Sequence, residues 1–289
     1  MTPARRLRDL LDRKDILIAP GAYDALTAKL IQKAGFDAVY MTGAGIAYSS
    51  LGKPDIGLLT LNEMVERAAR LVEAVEVPVI ADADTGYGNA INVIRTVREF
   101  ERAGVAAIQL EDQALPKRCG HLRGKELISL EEMVGKLRAA AWARTDPALV
   151  ILARTDARAV LGIEEALRRA KAYAEAGADV LFVEAPESVD EMKMITASLD
   201  RPCLANMVEG GRTPLSSAEE LQQLGYKLVI FPGMLARFIA KQVADFLHGV
   251  RREGTSKPFL NRMLSFDELN ALVGIREFRD LESRFLPPR

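Results

Sequence analysis

Short apolar runs rich in β-branched residues recur along the chain, and each gives way to a polar or glycine-containing turn. They fall at 15–21, 37–43, 77–86, 105–112, 148–157, 178–186, 201–207 and 227–233, eight in all. Between them the apolar positions switch to steps of three and four residues, as in TLNEMVERAARLVEAV (60–75), IEEALRRAKAYAEAG (163–177) and SSAEELQQLG (216–225). The first pattern is that of strands buried on both faces, the second that of helices with one apolar stripe. Their alternation predicts a parallel sheet covered by helices. Eight such units without a break in composition predict an α/β fold of the (β/α)8 TIM barrel type rather than two open sheets. The barrel is expected over about 15–250, inside a single domain spanning 1–289.

Two connections are longer than a minimal barrel needs. GAGIAYSSLGKPDIGLLT follows the second strand, and the segment containing ALPKRCGHLRGKEL (114–127) follows the fourth. Loops at these places lie over the C-terminal ends of the strands, the face on which barrel active sites are built. After an eighth helix at about 234–249, a tail covers 251–289, with a further amphipathic helix expected near 266–284. A barrel has no use for that helix, so the tail points to packing against another subunit.

Composition narrows the function classes. The 39 basic and 40 acidic residues leave a net charge of −1, with no basic excess for nucleic acid and no polybasic run for a membrane surface. No apolar segment approaches the roughly 18 residues that a spanning helix needs. The charged, helical N-terminus lacks the apolar centre of a secretion signal, which points to the cytoplasm. There the two cysteines, Cys119 and Cys203, are expected as free thiols.

The strand ends carry the candidate chemistry. Thr42, Gly43 and Ala44 follow the second strand, Asp82 and Asp84 the third, and Glu111 and Asp112 the fourth; Arg154, Glu184 and Asn206 follow the fifth, sixth and seventh. Such a ring of carboxylates is costly unless a positive charge neutralises it. Oxygen donors without a nearby strand-end Cys or His suit Mg²⁺, or Mn²⁺, rather than Zn²⁺. The TGAG turn (42–45) lacks the lysine of a P-loop, but its free backbone N–H groups suit a carboxylate. Arg154 offers a bidentate fork to a second anionic group. Cys119 is flanked by Lys117, Arg118, His121 and Arg123, and nearby positive charge lowers a thiol pKa toward neutrality, where it exchanges protons efficiently. Cys203, inside the seventh apolar run, reads as a small core residue.

Taken together, KRCGH (117–121), GAYDALTAKL (21–30), MTGAG (41–45), DADTGYG (82–88), QLEDQ (109–113), ARTDA (153–157), VEAP (183–186) and ANMVEGGRTPL (205–215) resemble the isocitrate lyase/phosphoenolpyruvate mutase superfamily along nearly the whole chain. The resemblance implies a barrel, a homotetramer and a C-terminal helix exchanged between neighbours. It implies that Thr42, Gly43 and Ala44 hold a substrate carboxylate, and that Asp82 binds Mg²⁺ directly with Asp84 and Glu111 in its water shell. Asp55 would support the metal waters, and Arg154, Glu184, Asn206 and Arg237 would contact the substrate along with Cys119 and Gly120. Cys119, on a mobile loop with Lys117 and His121, would be the catalytic acid/base, with Arg154 as the remaining member of the catalytic set.

The presence of Cys119 favours the lyase branch of that superfamily, which cleaves hydroxy-dicarboxylates or hydroxy-tricarboxylates, over phosphonopyruvate or carboxyphosphonate mutases and oxaloacetate decarboxylases. Leu122 stands where methylisocitrate lyases typically carry Arg after CGH, and Phe266 where they carry an arginine near the C-terminal helix. Two fewer cationic contacts weaken the case for a third substrate carboxylate. CGHLRGK (119–125) and NMVEGGRTPL (206–215) look more like the 2,3-dimethylmalate lyase and petal-death-type enzymes, which implies a 2-alkylmalate as substrate, with methylisocitrate as the alternative.

Overall fold

All eight apolar runs form strands: β1 (Leu17–Ala22), β2 (Val39–Met41), β3 (Val79–Asp82), β4 (Ala107–Glu111), β5 (Val150–Thr155), β6 (Val180–Val183), β7 (Leu204–Asn206) and β8 (Leu228–Phe231). The structure, a computed structural model, describes residues 1–120 and 124–287. Pairing is parallel throughout, in the order β6-β5-β4-β3-β2-β1-β8-β7. A parallel bridge between Leu181 and Cys203, with the Leu181 N–H donating to the Pro202 carbonyl at 2.9 Å, links β6 to β7. The sheet thereby nearly closes on itself as a (β/α)8 barrel, and every strand C-terminus points to the same end.

Local chemistry starts the helices where the periodicity places them. Thr60 and Glu63 form a capping box for the helix Leu61–Ala74, Asn89 and Asn92 one for Ala90–Arg102, and Ser217 and Glu220 one for Ala218–Gln223; each satisfies first-turn N–H groups that have no intrahelical partner. The barrel interior is filled by side chains such as Tyr40, Ile80, Leu152, Phe182 and Ile230, all nearly inaccessible to water. Its floor is covered by the helix Pro3–Leu11, whose Leu7, Leu10 and Leu11 join the same core. Arg8 fastens that helix by donating to the Ala148 carbonyl at 2.8 Å and pairing with Asp179 at 3.0 Å.

Residues 1–236 form one compact unit and 237–289 a second. Most of the helix Met234–Glu253 belongs to the second unit, where Phe246 meets Phe259 edge to face at 5.4 Å. One helix was expected near 266–284; there are two, Phe266–Leu272 and Ile275–Phe285. Gly274 separates them at φ +88, a left-handed conformation that ends the first helix and that glycine adopts without penalty.

Asp112 departs from the expected ring of site carboxylates. Strand side chains alternate in direction, so Asp112 turns opposite to Glu111 and becomes a structural knot. Its Oδ2 accepts from Thr155 Oγ1 (2.7 Å), Tyr173 OH (2.7 Å) and Arg169 Nη1 (3.1 Å), and its Oδ1 from the Asp156 N–H (2.9 Å). Asp112→Ala would leave the buried Arg169 charge without this partner and should cost about 3–5 kcal/mol of unfolding free energy, measurable by urea denaturation.

Candidate active site

Side chains at or just beyond the C-terminal ends of β2, β3, β5 and β7 line one space at the barrel mouth. Thr42 follows β2 and caps the short helix Gly43–Ile46 by accepting from the Gly45 N–H at 3.2 Å. The Gly43 N–H donates to Asp82 Oδ2 at 3.3 Å. A Cβ on Gly43 would stand 2.9 Å from that oxygen, so only glycine lets the turn come this close to the carboxylates. The helix itself makes no use of the Ala44 N–H, and Ala44 lines the cavity together with Thr42, Asp82, Cys119, Arg154 and Asn206.

Asp82, Asp84 and Glu111 are all buried. Asp82 Oδ1 accepts from the Asp84 N–H at 3.0 Å and from Gln109 Nε2 at 3.4 Å, and Gln109 is in turn held by the Tyr40 hydroxyl at 3.1 Å. Lys117 reaches into this acidic group: its ammonium lies 2.5 Å from Asp55 Oδ1 and 2.6 Å from Asp84 Oδ1. Burial disfavours that charge, but Asp84, Glu111, Asp55 and Asp82 outweigh it and hold the Lys117 pKa well above its ordinary value. Burial also pushes the Asp84 carboxyl up, to about 6, against the downward pull of Lys117.

The segment carrying Cys119 is stitched to the barrel mouth. Gln113 accepts from the Arg118 N–H at 2.9 Å and donates to its carbonyl at 2.8 Å, while the Cys119 N–H donates to the Asp55 carbonyl at 3.2 Å. Gly120 is pressed against the substrate-binding candidates, since a Cβ there would fall 2.4 Å from Arg154 Nη2 and 2.7 Å from the Glu184 carboxyl carbon. Arg154 is fixed by Asp156 (Nε to Oδ2 2.9 Å, Nη2 to Oδ1 3.0 Å), faces Glu111 Oε2 at 3.2 Å and lies over the Phe182 ring at 5.3 Å. Asn206 Nδ2 donates to both Glu184 oxygens, at 3.3 and 3.1 Å.

Thr42, Gly43, Ala44, Asp55, Asp82, Asp84, Glu111, Lys117, Cys119, Gly120, Arg154, Glu184 and Asn206 therefore gather at one end of the barrel. His121 lies outside the described residues, and Arg237 opens the second unit. Sequence reasoning passed over Lys125, which is buried and joins Asp156 at 2.6 Å, and the orienting role of Asp156 itself. Both stood within quoted motifs, yet neither type nor spacing distinguishes a buried lysine from a solvated one. It also missed the cavity wall of Phe182, Val208, Ile230 and Pro232, whose apolar residues carry no signal apart from the strands that hold them.

A family model for phosphoenolpyruvate phosphomutase matches residues 7–251. The chain belongs to the phosphoenolpyruvate mutase/isocitrate lyase superfamily. It is 52% identical over 289 residues to the 2,3-dimethylmalate lyase of Eubacterium barkeri, covering all of both chains. It is 47% identical to a 2-methylisocitrate lyase of Aeropyrum pernix over 282 residues, 97% of this chain and 91% of that one. A crystal structure of 2,3-dimethylmalate lyase superposes with a TM-score of 0.93 at 39% identity, covering 98% of this chain and 95% of the other.

The donor set of this superfamily member fits a divalent cation. The oxygens are hard donors, and the buried Glu111 Oε1 has no hydrogen-bond partner among the described residues. No three Asp, Glu, His or Cys side chains among the described residues converge into an all-protein cage. Mg²⁺ does not need one, because it keeps several waters and takes one or two carboxylates.

Two outcomes follow from this geometry. Gly120→Ala should displace Arg154 or the Cys119 backbone and lower kcat/KM at least ~100-fold, read from steady-state kinetics with far-ultraviolet circular dichroism unchanged. With its pKa raised to about 6, the Asp84 carboxyl holds its proton at higher pH in the folded protein than in the unfolded chain. Stability from that proton is therefore complete below the ordinary carboxylate range and is lost as pH rises toward about 6. Cation binding needs the ionised form, so Mg²⁺ affinity measured by titration calorimetry should fall about tenfold per pH unit below that value.

Proposed function

We propose that the chain is a Mg²⁺-dependent carbon–carbon lyase that cleaves a 2-alkylmalate, such as 2,3-dimethylmalate, to pyruvate and a short carboxylate. The observation that carries this reading is that Cys119 lines the same cavity as the Thr42 turn, Asp82, Arg154 and Asn206. A thiol, a carboxylate cluster and an arginine are thereby presented to one small acid. Full-length identity to a 2,3-dimethylmalate lyase supports the same reading.

Asp82 would hold the cation, with Asp84 and Glu111 accepting from its waters and Asp55 supporting them. A divalent cation held there would supply positive charge that favours loss of the substrate's hydroxyl proton. The Thr42–Ala44 turn receives one substrate carboxylate. Arg154, braced by Asp156, receives charge that develops on the departing fragment. Once a base has taken up the hydroxyl proton, the C2–C3 bond breaks: a carbonyl forms at C2, giving the 2-oxoacid, and the electron pair passes to C3 as an enediolate. Cys119 Sγ–H then protonates C3, releasing propionate when the substrate is 2,3-dimethylmalate. Gly120, seated on Arg154 and Glu184, sets how near the thiol can come.

The apolar wall of Phe182, Val208, Ile230 and Pro232 suits the substrate's alkyl group better than a third carboxylate, which favours 2-alkylmalates over methylisocitrate. As a whole protein we read the chain as a cytoplasmic homotetramer. Neither Cys119 nor Cys203 is in a disulfide, as suits a reducing compartment, and no described helix is long and apolar enough to cross a membrane. Phe278, Leu281 and Phe285 form an exposed stripe on the helix Ile275–Phe285, a surface suited to exchange between neighbours.

Mg²⁺-dependent 2-oxoacid release should be fastest with 2,3-dimethylmalate or 2-methylmalate in a screen that includes methylisocitrate, isocitrate, oxaloacetate and phosphonopyruvate. Faster turnover of methylisocitrate would reassign the substrate, and turnover of phosphonopyruvate alone would reassign the chemistry. Cys119→Ser should lower kcat at least ~100-fold while Mg²⁺-oxalate still binds by calorimetry. A near-parent rate in that variant refutes the thiol's role as acid.

A further inference from the structure

Lys125 is buried eight residues beyond Lys117 and lies outside the carboxylate cluster that Lys117 neutralises. Its ammonium donates to two acceptors, the Gly120 carbonyl and Asp156 Oδ1, the latter at 2.6 Å. Each acceptor leads to a different part of the chemistry. The Gly120 carbonyl is one residue from Cys119. The Asp156 carboxylate holds the Arg154 guanidinium through both Nε and Nη2 and has no exposed surface of its own. The two branches meet again where Gly120 packs on Arg154 Nη2 and Glu184, so Lys125, Gly120, Arg154 and Asp156 form a closed ring of contacts.

We infer that Lys125 is a positioning residue which, through one ammonium, sets both the approach of Cys119 to the substrate carbon and the orientation of Arg154. It touches no reacting atom. Hydrogen bonds from an ammonium are directional as well as charge-assisted, and a nucleophile or acid displaced by about 1 Å loses on the order of a hundredfold in rate. Without Lys125 the buried Asp156 keeps Arg154 as its remaining cation, and the Gly120 carbonyl loses a donor. Arg154 and the Cys119 backbone then move independently instead of together. The inference rests on the proposed acid role of Cys119, and its test reads the thiol directly so that the two can fail separately.

The experiment compares the parent with Lys125→Met, Lys125→Gln and Asp156→Asn in three measurements. These are kcat and KM for 2,3-dimethylmalate, the melting temperature, and the iodoacetamide alkylation rate of Cys119 with and without Mg²⁺-oxalate. Peptide mass spectrometry separates Cys119 from Cys203. In the parent, Mg²⁺-oxalate should slow Cys119 alkylation at least tenfold. Lys125→Met should abolish most of that protection, lower kcat about a hundredfold and raise KM only a few-fold. Lys125→Gln retains a neutral donor of similar reach and should fall between the two. If the Met variant does not fold, the Gln variant carries the test. Combining Lys125→Met with Asp156→Asn should cost little more than either alone, because both break one ring. Protection and kcat within twofold of the parent would overturn the inference, as would a lowered melting temperature or kcat with protection intact. Loss of protection in the Lys125 variants, with Cys119→Ser still turning over at the parent rate, would retain the positioning role and reject the thiol as acid.

Discussion

A carboxylate taken out of water must be repaid by cations or aimed donors, at a cost otherwise of several kilocalories per mole. Five of the acidic side chains at this barrel's mouth, Asp82, Asp84, Glu111, Asp156 and Glu184, are almost wholly buried. Their neutralisation organises everything near them. Lys117 answers Asp55 and Asp84, Lys125 answers Asp156, and Arg154 is shared among Asp156, Glu111 and Glu184. Both lysines lie in the connection after β4, so the charge requirement of the strand ends is also what draws that connection, and Cys119 with it, over the cavity. The electrostatics that make the site costly are the same forces that assemble it.

The division between Lys117 and Lys125 separates two tasks. Lys117 sits among the oxygens suited to a cation, where a divalent ion and an ammonium draw on the same negative charge. Lys125 instead donates to Asp156 and the Gly120 carbonyl, away from those oxygens. Proteins of this superfamily are named both as lyases and as phosphomutases, on a common fold. What this chain places over its own carboxylates is a thiol beside a glycine seated on Arg154.

Much of this was legible in the sequence. Uninterrupted apolar runs mark β1 to β8 because parallel strands buried on both faces have no room for polar alternation, and polar residues at their C-terminal ends mark the site because barrel topology brings those ends together. The difference between Glu111 and Asp112 was not legible from composition: adjacent residues of like charge turn to opposite sides because side chains alternate along extended backbone. Gly274 divides the tail helix by its φ angle, while the apolar periodicity runs on through both halves as if there were one. Nothing in its local sequence sets Lys125 apart from a solvated cation, because its burial depends on Asp156, 31 residues away. Long-range pairings of this kind leave no trace in local pattern.

The floor of the barrel is closed by the first structured residues of the chain, Pro3–Leu11, yet what they close against is made much later. Arg8 waits for Ala148 and Asp179, and Leu17 for Leu228. At roughly 5–20 residues per second of synthesis, the leucines of that helix remain uncovered on the nascent chain for about ten seconds or more before their partners leave the ribosome. Holding an amphipathic segment harmless over that interval is a demand placed on the cell rather than on the folded molecule, and it is set by where in the chain the plug is encoded.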